Sequence, residues 1–132
     1  MAEALKSMEV AIDVDVPVVL IDIGHRYRSD ISPLELYEAT RGAWRVGARR
    51  NGAVYAFAVS GNIVHEVYEI DSWHRAGTTP YRVRPFVSFS VEGRWEFLGK
   101  LADKELRNKY KSRSVMKYLI NAQPNSVTYI NC

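Results

Sequence analysis

The sequence predicts an α+β fold, a single domain with a strongly curved mixed or antiparallel β-sheet, barrel-like, and two or three flanking helices. Short runs of residues alternate with the period of a strand, and turn-forming pairs such as Asn51-Gly52 and Gly61-Asn62 separate several of them. The helical stretches interrupt these runs without a regular βαβ alternation, which argues against a doubly wound parallel sheet. At 132 residues the chain suits one domain rather than two.

Taken in order, residues 1–8 read as a flexible N-terminus and residues 9–132 as the domain. Residues 9–23 (EVAIDVDVPVVLIDI) are rich in β-branched side chains and read as extended, with Pro17 marking a break, bulge or edge because it cannot donate to a ladder. A loop with His25, Arg26, Tyr27 and Arg28 follows. Ser32-Pro33-Leu34-Glu35 is the clearest local signal: a serine cap, proline in the first turn and a glutamate placed to complete a capping box. The helix it starts carries Leu34, Leu36, Tyr37 and Ala39, and Gly42 is placed to end it. The period then changes to two. Residues 43–47, 53–60 and 63–70 are expected to form a three-strand meander, with Ile63, His65, Val67 and Glu69 on one face of its last strand. Residues 81–91 read as extended, with Phe86, Phe89 and Val91 as core, residues 94–99 as a strand, and residues 101–110 as a charged helix. Residues 114–119 are open to strand or helix, and residues 126–131 close the domain as a strand.

No apolar run approaches the roughly 20 residues of a membrane helix, and the start of the chain has neither the basic region nor the apolar core of a secretion signal. The single cysteine, Cys132, allows no internal disulfide and suits a reducing cytoplasm. Charge is unevenly distributed. Residues 1–40 hold three basic and eight acidic side chains, net −5, and the remainder holds 15 basic and seven acidic, net +8. Such asymmetry points either to a basic face for a polyanion or to a solvated surface of scattered charges.

Catalytic templates are missing from the sequence: it has no P-loop, dinucleotide fingerprint, nucleophile elbow or zinc-protease motif. His25, His65 and His74 are too far apart for a local metal motif. No catalytic residue, metal or cofactor is therefore assigned. Aromatic and basic residues make the better case. Trp44, Tyr68, Trp73 and Trp95 are candidates to stack on a base, and Arg41, Arg45, Arg75, Arg94 and Lys100 to contact phosphates or base edges. Trp73, beside Asp71, Ser72 and His74 in an apparent loop, stands out, whereas Trp44 and Trp95 read more readily as core packing. A second cluster, Lys100, Lys104, Arg107, Lys109, Lys111, Arg113 and Lys117, is either a phosphate-contacting stripe or a solvated helix face.

The helix SPLELYEAT, the strand AWRVG, the meander YAFAVSGNIVHEVYEIDSW and the strand RWEFLGK together resemble the PUA-like superfamily, in which the EVE, ASCH and YTH branches sit. The resemblance implies a small curved sheet with flanking helices, and binding of RNA or a flipped, modified base in an aromatic-lined cleft. The lysine/glutamate/arginine motif of the ASCH type is not evident in this helix, so no enzymatic role comes with the resemblance.

The reading is a cytoplasmic nucleic-acid-binding module, DNA or RNA, that holds a base, modified or not, in an aromatic and arginine-lined cleft. No membrane partner is expected, and a homodimer is compatible with the composition. One alternative is an enzyme on nucleotides or nucleic acid with His65, Glu66 or Glu69 as acid or base. Another is a protein-interaction subunit with Trp73, Tyr81 and Phe86 at the contact.

Overall fold

The computed structural model describes residues 11–83, 92–120 and 126–132. Phe86, Phe89, Val91 and residues 1–8 of the sequence reading lie outside the described residues. In chain order the elements are β1 (Val18–Asp22), a 3-10 turn (Gly24–Arg26), α1 (Pro33–Arg41), a second 3-10 turn (Ala48–Gly52), β2 (Tyr55–Ser60), β3 (Ile63–Arg75), β4 (Trp95–Leu101), α2 (Lys104–Tyr110), α3 (Met116–Leu119) and β5 (Val127–Ile130). The fold is α+β with one mixed five-stranded sheet in the order β4-β3-β2-β1-β5. β1 and β2 are parallel, and the other neighbours are antiparallel. The strands do not close into a barrel, since β4 and β5 are the two edges.

The middle of the sheet explains itself from composition. Val18, Val19, Leu20 and Ile21 of β1 are buried on both faces, as a strand with a parallel partner and covered faces requires. Pro17 lies just before β1, where its missing N–H breaks no ladder bond, and its carbonyl accepts from the backbone N–H groups of Val54 and Tyr55. One face packs Val18, Leu20, Phe57, Val59, Val64 and Val67 against Ala102, Tyr110 and Val115. The other packs Val19, Ile21, Ala56, Ala58, Tyr68 and Phe97 against Leu36 of α1 and Trp44.

α1 begins as its sequence says it should. Ser32 Oγ accepts from the Glu35 N–H at 3.1 Å, and a Glu35 carboxylate oxygen accepts from the Ser32 N–H at 3.3 Å. Its buried side is not purely apolar, however: Glu38, Thr40 and Arg41 are inside and Leu34 is exposed. Gly42 ends the helix for a reason other than a left-handed cap. Its backbone is extended, and a Cβ there would lie 2.7 Å from the Glu96 Cβ and 2.5 Å from the Tyr81 hydroxyl.

The expected meander is displaced by one strand. Residues 43–47 form no strand and make a single backbone bridge, Trp44 to Trp95. Asn51-Gly52 belongs to the second 3-10 turn rather than to a hairpin. β2 instead joins β1 in parallel after α1, giving one βαβ crossover that the turn residues did not foretell. The antiparallel meander is β2-β3-β4. Gly61 and Asn62 make the β2–β3 turn with φ of +59° and +66°, the left-handed pair that a tight hairpin favours.

β3 does most of the shaping. It carries an extra residue at His65, opposite the Ala58–Val59 step, and another at Asp71, opposite Leu98–Gly99. The first breaks the expected alternation, so that Val64 and Val67 share a core while Tyr68 and Ile70 face the other. Each bulge bends and twists the strand. Segment 43–52 then touches both sheet edges. Trp44 and Trp95 exchange backbone hydrogen bonds of 2.8 Å beyond β4, and Arg49 donates to the Cys132 carbonyl, just past β5, at 2.8 Å from Nε.

Gly99 sits where β4 crosses closest to β3, and a Cβ there would meet the Glu69 carbonyl oxygen. Gly99→Ala should therefore cost about 2 kcal/mol by forcing the strands apart, against about 1 kcal/mol for loss of the cap in Ser32→Ala. Urea denaturation at neutral pH checks both, and equal stability of Gly99→Ala and the parent would contradict the close approach.

Candidate functional site

The N-terminal end of β4 gathers several aromatic and basic side chains. Trp95 is half-buried, with the guanidinium carbon of Arg50 3.7 Å and that of Arg75 5.2 Å from the centre of its ring. Arg50 comes from the second 3-10 turn, and Arg75 is the register partner of Trp95 on β3. Arg94 donates from Nη1 to the Ala43 carbonyl at 3.3 Å. Arg45 is exposed beside Gly93. Trp44 lies next in the bridge, buried, its indole N–H donating to the Thr40 carbonyl at 2.7 Å, with the Arg26 guanidinium 5.7 Å from its ring. The structure therefore brings together Trp44, Trp95, Arg45, Arg75 and Arg94. It adds Arg26 and Arg50, neither of them among the expected phosphate contacts, although Arg50 follows Trp44 and Arg45 closely in the sequence.

Other expected contacts lie elsewhere. Tyr68 is 2% exposed, packed beside Tyr37 at 5.4 Å between ring centres, and burial pushes its phenol well above the ordinary value. Trp73 is not in a loop. It is a half-buried β3 residue set edge-on to Phe97 at 5.4 Å. In this arrangement a base finds no open ring at Tyr68 or Trp44, because both are packed into the core on the α1 side. Arg41, expected on a phosphate, is 2% exposed. Its guanidinium donates to Thr79 Oγ1 at 2.7 Å and to the Pro80 carbonyl, and stacks on Tyr81 at 3.7 Å. Lys100 faces Glu69 at 3.8 Å.

Charge pairing divides the basic residues into two groups. Along α2 and its exit, Arg107 and Lys111 pair with Glu66, Lys109 with Asp15, and Lys117 with Asp13. That cluster is a largely neutralised helix face. Around Trp95, by contrast, none of Arg26, Arg45, Arg50, Arg75 and Arg94 has a carboxylate within ion-pair distance among the described residues. Among the described residues their positive charge meets no carboxylate.

The acid–base alternative finds its residues already occupied. Glu66 is held by both Arg107 contacts, 2.8 and 3.0 Å, and by the Val67 N–H at 3.0 Å. Burial pushes its carboxyl up, but these hydrogen bonds and the nearby Lys111 outweigh burial and hold it below its ordinary range. His65 stacks on Tyr27 with ring centres 3.6 Å apart, and its Nε2 lies 3.1 Å from the Ser60 carbonyl. Burial lowers its pKa, partly offset by that carbonyl, and the nearby Lys111 lowers it further, so folding favours the neutral ring. His74 bonds Ser72 Oγ at 2.8 Å. Among the described residues no three metal-ligating side chains converge.

A buried brace adjoins the arginine cluster. Glu96, 1% exposed, accepts from the Gly77 N–H at 3.0 Å, the Thr79 N–H at 2.8 Å, the Thr79 hydroxyl and the Tyr81 hydroxyl at 3.1 Å. Burial drives its carboxyl up, yet these donors prevail and hold it below the ordinary value. Glu38, 3% exposed, accepts from the N–H groups of Arg82 at 2.6 Å and Val83 at 2.8 Å. Neither glutamate was expected from sequence. For Glu96 the strand alternation in RWEFLGK was the available signal, since it sets a carboxylate on the face opposite Trp95 and Phe97.

Comparison with family models, with curated proteins and with solved structures finds no match for this chain. Among the described residues no helix is long and apolar enough to cross a membrane.

Because the Glu96 carboxyl is held down in the folded state, its stabilising contribution is complete above the ordinary value of 4.5 and is lost as the pH falls through its folded pKa. Glu96→Gln should be less stable than the parent at neutral pH and should lose stability less steeply between about pH 5 and 3. Parallel acid-titration slopes for the two proteins would show that Glu96 carries no such linkage. His65 acts at milder pH. Its neutral form is favoured by folding, so its contribution is complete above 6.5 and declines below it, and His65→Gln should flatten the stability profile between about pH 7 and 5.

Proposed function

We propose that this protein binds nucleic acid through the phosphate backbone, on the arginine surface around Trp95. The observation that carries this reading is the pair of guanidinium groups, Arg50 and Arg75, over one half-buried indole with no carboxylate in ion-pair reach among the described residues. Arg50 Nη1 donates to the Gly47 carbonyl at 2.9 Å, which holds the guanidinium over the ring, while Arg75, 5.2 Å from the ring centre, offers the planar fork that suits a phosphate. Several such charges close together repel one another until an anion arrives, so their unpaired state favours a polyanionic ligand. The neutralised lysines and arginines of α2 provide an internal contrast.

The cleft of the sequence reading becomes narrower in this proposal. Where a base is held, modified or not, it would have to displace Arg50 or Arg75 from the half-buried Trp95 ring, and Tyr68 supports the core beneath. Arg45, Arg75 and Arg94 keep the phosphate role, joined by Arg26 and Arg50, while Arg41 and Lys100 have internal or neighbouring partners. No cofactor is required for such binding.

Titrating short single- and double-stranded DNA and RNA while following tryptophan fluorescence tests the proposal. Binding should weaken steeply with salt, and Arg50→Ala or Arg75→Ala should each lower the salt slope by about 1. Arg107→Ala, which removes a paired charge, should leave that slope unchanged. Absence of binding to every oligonucleotide at low salt, or equal sensitivity to Arg107→Ala, would falsify the assignment.

A further inference from the structure

The loop from residue 76 to residue 83 is held far more firmly than a connection needs. Three charged side chains, Glu38, Arg41 and Glu96, each at most 3% exposed, are spent on it. Glu96 binds the backbone at Gly77 and Thr79, Arg41 binds Thr79 and Pro80, and Glu38 binds the backbone at Arg82 and Val83. Removing charged groups from water costs several kcal/mol per ion before compensation, and the bonds named here run from α1 and β4 to the loop rather than along the strand ladders. Fixing a loop so that its exposed side chains start from set positions is what a binding surface needs, since ordering is then complete before the ligand arrives.

The loop also starts in the right place. It leaves the sheet directly after Arg75, and its base is closed by the Ala76 N–H to the Arg94 carbonyl at 3.0 Å. Arg75 and Arg94 are both members of the arginine cluster. Thr78 and Arg82 are exposed, and Arg82 has no carboxylate within ion-pair distance among the described residues. Its backbone N–H lies 2.6 Å from Glu38, so the arginine is launched from the point that the buried carboxylate fixes.

We infer that residues 76–83 extend the arginine surface as a pre-ordered phosphate-contacting loop, with Arg82 as the contact and Glu38 as its positioning residue. This rests on the nucleic-acid reading above and names a further contact of the same ligand. Arg82 binds the phosphodiester backbone, and Glu38 acts only through Arg82. The two residues should therefore be non-additive in binding although they remain independent in stability.

The test uses the full chain and a short fluorescein-labelled oligothymidylate, with affinity measured across a salt series well below the unfolding temperature. Arg82→Ala should weaken binding about 3- to 10-fold and reduce the salt slope by about 0.7. Glu38→Gln, whose amide accepts one loop N–H but opposes the other, should produce a loss of the same size. The double variant should bind no worse than either single variant, while its unfolding midpoint stays as low as that of Glu38→Gln. If Arg82→Ala binds like the parent while Arg75→Ala is weakened, the loop inference is overturned and the nucleic-acid reading survives. Additive losses in the double variant overturn the positioning role of Glu38. Failure of the parent to bind overturns the reading and this inference with it.

Discussion

The two extra residues of β3, at His65 and Asp71, are the constraint on which the arrangement depends. A straight strand of 13 residues would keep one face and one direction along its whole length. With two bulges it bends and twists, serving β2 through its first half and β4 through its second. The bend carries β4 to Trp44, and segment 43–52 then spans from the free side of β4 to the end of β5. Arg49 and Arg50 show the consequence. Neighbours in sequence, they stack on opposite edges of the sheet, one over Tyr129 of β5 and the other over Trp95 of β4.

Charge is handled in two distinct ways. Inside and along α2, every cation that is described in an ion pair faces a carboxylate, and the buried glutamates 38, 66 and 96 are satisfied by backbone N–H groups or by arginine. Around Trp95, Arg50 and Arg75 lie over its ring and Arg26 over the Trp44 ring, while Arg50 and Arg94 also donate to the Gly47 and Ala43 carbonyls. Aromatic contact orders a guanidinium without neutralising it, so the cost of desolvating an ion pair is avoided and the charge remains available at the surface. That difference in pairing, rather than the modest net charge of +3, distinguishes the two basic regions among the described residues.

Local signals in the chain were legible to different depths. The capping box at Ser32 and Glu35, the Gly61-Asn62 turn, the break at Pro17 and the closing strand β5 all follow from interactions between residues a few positions apart. The parallel pairing of β1 with β2 does not, since residues 53–60 alternate equally well for a hairpin or a crossover. Asn51-Gly52 carried a turn signal that a 3-10 turn satisfies as readily as a β-hairpin. Among the candidate site residues, Trp95, Arg75 and Arg94 lie near one another, because β-strand register brings Arg75 opposite Trp95. Trp73 was misplaced because the polar residues around it suggest a loop, whereas they mark a bulge at Asp71 inside a strand.

By itself the sequence determined where the chain turns, caps and alternates, and that its basic residues crowd into the part after Thr40, because these are properties of neighbours and of composition. Only the tertiary structure decided which of those basic residues are available. Arg41 and Arg75 are alike in sequence terms, yet Arg41 meets Thr79 and Pro80, 38 and 39 positions away, and is buried, whereas Arg75 lies near the Trp95 indole and is exposed. The physical reason is that burial and ion pairing are set by partners remote along the chain, and those partners are brought together only when β3 bends.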